Sequence, residues 1–163
     1  MEKRNVNINN YKGPGNSLKY WYRIIHPLKL VRNVLVVNLC KRLPSMSLKN
    51  HLYRSIGVKI GKNVTIAYGV TLDFFFPELI EIHDNTIIGY ESAILTHEFL
   101  NKEWRKGKVL LEKDSTIGAW CLVMPGSEVG EKSTVASYSL VNKKVPKNTT
   151  VGGIPVKKIK SRT

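Results

Sequence analysis

Residues 115–141 read STIGAWCLVMPGSEVGEKSTVASYSLV, and within them an aliphatic side chain returns every six positions: Ile117, Val123, Val129, Val135 and Val141. Working outward, the same phase reaches back to Leu111. Two earlier sets share the spacing, Ile82, Ile88 and Ile94, then Ile60, Ile66 and Leu72. All twelve positions are Ile, Leu or Val. The next residue is often tiny, as at Gly61, Ala67, Gly89, Gly118, Gly130 and Ala136. The fourth residue after the aliphatic is usually small or β-branched, as at Val64, Val70, Ser92, Ser115, Cys121, Ser127, Ser133 and Ser139. A period of six matches neither the 3.6 of an α-helix nor the 2 of a simple strand. It fits short edges joined by tight corners, three edges to a coil, with the aliphatics stacked inward and the tiny residue easing the corner backbone.

Two breaks interrupt the phase. Leu72 to Ile82 is ten residues, through FFFPEL, and Ile94 to Leu111 is seventeen, through THEFLNKEWRKGK. Departures from a regular scaffold are where function collects, although a tolerated surface insertion would look the same. Before the repeat, residues 28–43 (LKLVRNVLVVNLCKRL) follow Pro27 at helix-like spacing, and residues 47–56 (SLKNHLYRSI) read as a second short helix ending at Gly57. The expected organisation is a basic, partly helical segment 1–57 that caps the coil. A hexapeptide coil follows over 58–145 with an inserted loop at 98–110, and then a basic segment 146–163, the chain leaving the coil through Pro146.

The 163 residues carry a formal charge of +14, unevenly spread. Residues 1–62 hold thirteen Lys or Arg against Glu2 alone, residues 63–142 are net −5, and residues 143–163 hold seven basic residues and no acid. Basic ends attract phosphates or an anionic surface, or merely solvate the protein. Cys40 and Cys121 form no disulfide framework and no C-x-x-C pair. The polar opening MEKRNVNINNYKGPGNS is not a signal peptide, and the most apolar run, residues 34–40, is too short to span a bilayer. The expectation is a soluble cytoplasmic protein. The alternative raised by the charge is peripheral contact with the inner face of a membrane through the N-terminal segment, where basic residues neighbour Tyr20, Trp21, Tyr22, Ile24, Ile25 and the 28–43 stretch.

Residues 57–163, above all 80–97 (IEIHDNTIIGYESAILTH), 115–141 and 145–159 (VPKNTTVGGIPVKKI), resemble the hexapeptide acyltransferase superfamily, especially its small-molecule and sugar O-acetyltransferases. The resemblance implies an all-β, left-handed parallel β-helix and a homotrimer with active sites between subunits. It also implies transfer of an acetyl group from acetyl-CoA to a hydroxyl or amine. Such transfer needs a base, oxyanion donors and a groove for the thioester. His97, alone of the four histidines at the root of the long break, is the candidate general base, as the corresponding family histidine is. Its plainer alternative is a structural loop-root histidine. Glu98 is the candidate for orienting the ring, with a solvent-facing carboxylate as the alternative. Asp73, Tyr68 and Trp104 are candidates for binding the acceptor. The resemblance places Ala119, Ser137 and Asn142 along the pantetheine arm and Lys143, Lys157 and Lys160 at the CoA phosphates, where lysine serves as a point charge. Where related galactoside enzymes carry an acceptor-touching Asn this chain has Ala67, so acceptor chemistry does not transfer from them. Only His83 and His97 lie on the coils, which disfavours the three-histidine zinc site of the carbonic-anhydrase branch, and no metal or nucleic-acid partner is expected. The competing function class is a non-catalytic β-helix module that binds anionic surfaces through its basic ends.

Overall fold

The structure is a computed structural model and describes residues 1–159. Eighteen strands form three mainly parallel sheets and one small antiparallel sheet, with two α-helices and two short 3₁₀ helices among the described residues. The first face holds β2 (Lys59–Ile60), β5 (Ile80–Ile82), β10 (Val109–Leu111), β13 (Glu128–Val129) and β16 (Lys144–Val145). The second holds β3 (Thr65–Ile66), β6 (Ile87–Ile88), β11 (Thr116–Ile117), β14 (Thr134–Val135), β17 (Thr150–Gly152) and β18 (Lys157–Lys158). The third holds β4 (Thr71–Leu72), β7 (Ala93–Ile94), β12 (Leu122–Val123) and β15 (Leu140–Val141). The chain visits the faces in rotation, and each of these strands except β18 pairs in parallel with the strand one coil away. Eleven of the twelve hexad aliphatics are at most 1% exposed, and Ile60 in the first coil is half-buried. Burying each contributes roughly 1.5–3 kcal/mol relative to an exposed side chain. Residues at the fourth position stitch the coils: Ser92 Oγ donates to Gly118 O (2.8 Å), Ser127 Oγ to Val141 O (3.1 Å) and Ser133 Oγ to Pro146 O (2.6 Å).

The tiny corner residues are small for a different reason from the one read in the sequence. The left-handed backbone falls two positions later, at Asn63 (φ 53°), Asn85 (φ 58°), Asp114 (φ 58°) and Trp120 (φ 51°). Gly89 and Gly118 are tiny because stacked coils touch there. A Cβ on Gly89 would meet Gly118 C at 2.6 Å, and one on Gly118 would meet Ser137 N at 2.5 Å.

The open top of the stack presents unpaired carbonyls, because first-coil amides donate downward, Thr65 N to Thr86 O and Thr71 N to Ser92 O (both 2.9 Å). Helix α1 (Pro27–Arg42), which starts at the His26 cap, and helix α2 (Met46–Ser55), capped by Ser45, lie over this end. One face of α2 is a comb of donors. Lys49 Nζ donates to Ile66 O (2.9 Å) and Ala67 O (3.2 Å), Asn50 Nδ2 to Val64 O (2.8 Å), Tyr53 OH to Val70 O (3.3 Å) and Arg54 to Ile60 O and Gly61 O. These bonds satisfy an edge that would otherwise invite pairing with another chain.

Two expectations about the ends need correction. Capping belongs to the helices alone, because β1 (Asn7–Asn10) pairs instead with the inserted loop, antiparallel to β9 (Glu103–Lys106), which pairs with β8 (His97–Phe99). The coil also does not end at Pro146: β17 stays on the second face against β14, and β18 folds back antiparallel onto it. The step from Val141 to Val145 is four residues rather than six, and this slip hid the final turn.

Candidate functional site

Both breaks in the hexad phase open from the same corner. Leu72 and Ile94 are register partners on the third face, so the residues that follow them abut one coil apart. Asp73 and His97 therefore meet, with Nδ1 of His97 2.5 Å from Oδ2 of Asp73. Asp73 is completely buried, whereas the His97 side chain keeps 14% of its surface exposed. The Asp73 carboxylate also accepts the Thr96 amide (2.7 Å) on Oδ2 and the amides of Phe75 (2.7 Å) and Phe76 (3.0 Å) on Oδ1. Burial opposes its ionised form, but the bond and charge of His97 and the Thr96 and Phe76 amides outweigh it. The carboxyl is thus held below the usual carboxylate range. An ionised carboxylate only accepts, so Nδ1 carries a ring proton, and in the neutral imidazole Nε2 is then the nitrogen with the lone pair. Asp73, expected to touch an acceptor, has no free surface to do so. It fixes the tautomer and orientation of His97 instead, the task expected of Glu98.

The ring stands in an aromatic enclosure. Phe75 lies 4.4 Å from it between centroids, Phe99 5.2 Å, Phe76 6.2 Å and Phe74 6.4 Å. Trp104, on β9, stacks on Phe76 at 6.0 Å, and Lys106 Nζ lies over both rings at 5.3 and 5.7 Å. Trp104 thus forms part of the wall beside His97. Tyr68 is on a different corner, half-exposed, heading a ladder in which Tyr90, Trp120 and Tyr138 follow at 6.2, 5.1 and 5.0 Å. Ala119 and Ser137 share that corner, joined by an Ala119 N–H to Ser137 Oγ bond of 3.1 Å. Asn142 follows β15 at the corner of His97, with its Oδ1 buried and unpartnered among the described residues. Lys143 is half-buried and bridges to Lys3, and Lys157 is exposed on β18. Lys160 lies outside the described residues. One chain therefore divides these residues between two corners, one holding His97 and Asn142, the other Ala119 and Ser137.

No family model matches the sequence. A Bacillus subtilis protein named "Putative acetyltransferase YvoF" is 41% identical over 143 residues, covering 87% of this chain and 83% of its own. "Putative acetyltransferase SAR0816" of Staphylococcus aureus is 41% identical over 142 residues, 86% of this chain and 88% of its own. Among solved structures, a Vibrio cholerae hexapeptide-repeat acetyltransferase complexed with acetyl-CoA superposes with a TM-score of 0.67 at 20% identity, over 83% of this chain and 88% of that one. A galactoside acetyltransferase in complex with CoA gives 0.62 at 18% identity, over 84% and 82%. This chain belongs to the hexapeptide-repeat acetyltransferases.

In this hexapeptide-repeat acetyltransferase the N-terminal arm, which carried no site residue in the sequence reading, holds the hairpin that follows His97. Glu98 pairs with Arg4 (2.9 Å), and Arg4 also donates to Pro125 O (3.3 Å). Ser17 Oγ donates to Leu100 O (2.6 Å) and its amide to Asn101 O (3.1 Å). Glu98 is thus committed to the arm and not to the ring. A cysteine nucleophile is not available, since burial raises both thiols, Cys40 to about 11. Among the described residues no cluster of three or more His, Cys, Asp or Glu could hold a metal ion.

Proposed function

We propose that this protein transfers an acetyl group from acetyl-CoA directly to a hydroxyl group of a sugar or similar small molecule, with His97 as general base and Asp73 as its positioning partner. The observation that carries the proposal is the 2.5 Å contact of a wholly buried carboxylate with Nδ1 of a partly exposed imidazole, which gives the proton-accepting role to Nε2. In the step itself, Nε2 takes the acceptor's O–H proton while the oxygen attacks the thioester carbonyl carbon. The tetrahedral oxyanion collapses, the C–S bond breaks, and the thiolate of CoA takes the proton back from the imidazolium. The aromatic enclosure excludes water from the thioester, which favours the acceptor over hydrolysis.

The coil is read as left-handed and the assembly as a homotrimer. Both readings are supported by the family, and the homotrimer also by the split of Ala119 and Ser137 from His97 and Asn142, which side-by-side subunits would reunite across one groove. The pantetheine arm would pass Ala119, Ser137 and Asn142, with Lys143 and Lys157 toward the phosphates. A non-catalytic binding module has no use for an oriented base, and the enzymatic reading is preferred on that ground. Thiol release from acetyl-CoA across a panel of sugar hydroxyls and amino sugars tests the proposal. Release that depends on acceptor and on His97 supports it, and no release with any hydroxyl acceptor would overturn it.

A further inference from the structure

Helix α1 is apolar on two opposite sides. Its inner side packs down: Val37 and Cys40 join the coil core, Leu30 joins the cluster of Phe75, Phe76 and Trp104, and Asn33 Nδ2 donates to Phe74 O at 2.9 Å. Trp21, Ile24 and Ile25, which the charge pattern offered as surface-seeking residues, also turn inward onto this cluster. The outer side has no partner among the described residues. Leu28 is 74% exposed, Val31 54%, Leu35 65% and Leu39 53%. Their spacing of three and four residues draws one stripe along a helix of sixteen residues, roughly 24 Å long. Met46 and Leu48, exposed at the first turn of α2, lie beyond its C-terminal end in the chain.

The charged residues of α1 are all basic; from the neighbouring coils Glu78 pairs with Lys29 (2.9 Å) and Glu91 lines a cavity with Lys41 and Arg42. Arg32 and Arg42 share the exposed side, and Arg32 bonds only the neutral Asn33 side chain. From Lys3 to Leu72 the chain has no Asp or Glu. Helices that rest in a lipid interface combine an apolar stripe with flanking Lys and Arg in this way. A second copy fits poorly, because face-to-face stripes would oppose Arg to Arg with no acid on either helix. No helix among the described residues is long and apolar enough to cross a membrane.

We infer that the outer face of α1 docks the protein on an anionic lipid surface. The occupant of the stripe is the leaflet itself, with acyl chains against Leu28, Val31, Leu35 and Leu39 and anionic headgroups against Arg32 and Arg42. The inner face of the same helix holds the residue 74–76 wall around His97, so docking would bring the base close beneath the leaflet, on the order of one helix diameter, 10 Å. That consequence rests on the proposed chemistry, whereas the docking does not.

Flotation of the full chain with phosphatidylglycerol-containing vesicles and with pure phosphatidylcholine vesicles tests the inference. Binding to the first and not the second at low salt is expected, with loss near 1 M salt, where the Debye length falls to about 3 Å. The double substitution Leu35→Glu with Leu39→Glu should lower the bound fraction about tenfold or more. Arg32→Gln with Arg42→Gln should do so by weakening the salt-sensitive part. Both variants should keep the circular dichroism and thiol release of the wild type with a soluble acceptor. Failure of the wild type to float at low salt would overturn the inference, as would flotation indifferent to the leucine pair. So would vesicle-free assembly into larger particles that the leucine pair abolishes, which would make the occupant a second copy.

Discussion

The coils from Leu111 to Val141 and the coils from Leu72 to Gly107 are built on the same parallel ladders, yet only the second set brings a buried carboxylate against an imidazole. In the regular coils every hexad aliphatic is buried, the small residues are set by backbone contact between coils, and the hydroxyls of Ser127 and Ser133 are spent on neighbouring carbonyls. In the interrupted coils the chain steps out twice at one corner, and the two excursions meet. One supplies Asp73 and the phenylalanine wall, the other His97 and the hairpin. The regular stack positions and the breaks act, so damage to the two regions should separate stability from activity.

The largest expected separation is at His97. Replacement by Ala should lower acetyl transfer by about 10²–10⁴-fold in the protein that remains folded; the Asp73 carboxylate keeps its three backbone amides but loses the imidazole, a destabilisation of about 1–3 kcal/mol that is small beside the loss of rate. The opposite signature belongs to Ile117, fully buried between Ile88 and Val135 on the second face. Ile117→Ala should destabilise by about 2–5 kcal/mol, read from denaturant midpoints, with little change in kcat for the fraction that remains folded. A smaller effect is expected from Arg4→Ala, which leaves Glu98 without its cation at a cost of about 1–3 kcal/mol. Amide exchange should quicken over residues 97–106 and not over residues 115–141. If both regions speed up together, the arm is holding the whole fold and not the hairpin.

The pH dependence sharpens the same contrast. Because Asp73 has a lowered pKa in the fold, its stabilising contribution is complete above the unfolded value of roughly 3.9. It is lost as pH falls through the lower folded value, where the unfolded chain binds the extra proton. Acid unfolding of the wild type should therefore be steeper below about pH 4 than that of Asp73→Asn. Equal slopes would mean that the fold does not lower the Asp73 pKa. Lys157→Glu is expected to have the smallest effect, a rise of a few fold in KM for acetyl-CoA with kcat retained.

The hexad phase made the three-faced core legible from Ile60 to Val141, because a six-residue period leaves little freedom for the inward residue. The last turn was not legible, since the four-residue step to Val145 breaks the period that reveals the rest. His97 was visible as the histidine at the root of the longer break. Its partner was visible only as a residue: Asp73 stood out beside the shorter break, but its role depended on noticing that Leu72 and Ile94 occupy the same face one coil apart. Glu98 is adjacent to His97 in sequence and turns away from it, as neighbours along a β-strand do. The Arg4 contact joins residues 94 positions apart, and no local pattern announces it. The outward stripe of α1 was masked for the same reason: the helix carries aliphatics on both sides, and only packing shows which side the coil uses.

The central claim is that His97 and Asp73 act as one unit, and a double-mutant cycle in kcat/KM measures it most directly. The variants are His97→Ala, Asp73→Asn and the pair, assayed by thiol release with a common acceptor. If Asp73 works only by holding and polarising His97, Asp73→Asn should slow the wild type, and adding it to His97→Ala should cost almost nothing further. If instead the two losses multiply in the double variant, Asp73 has a task of its own and the dyad is not the unit of catalysis.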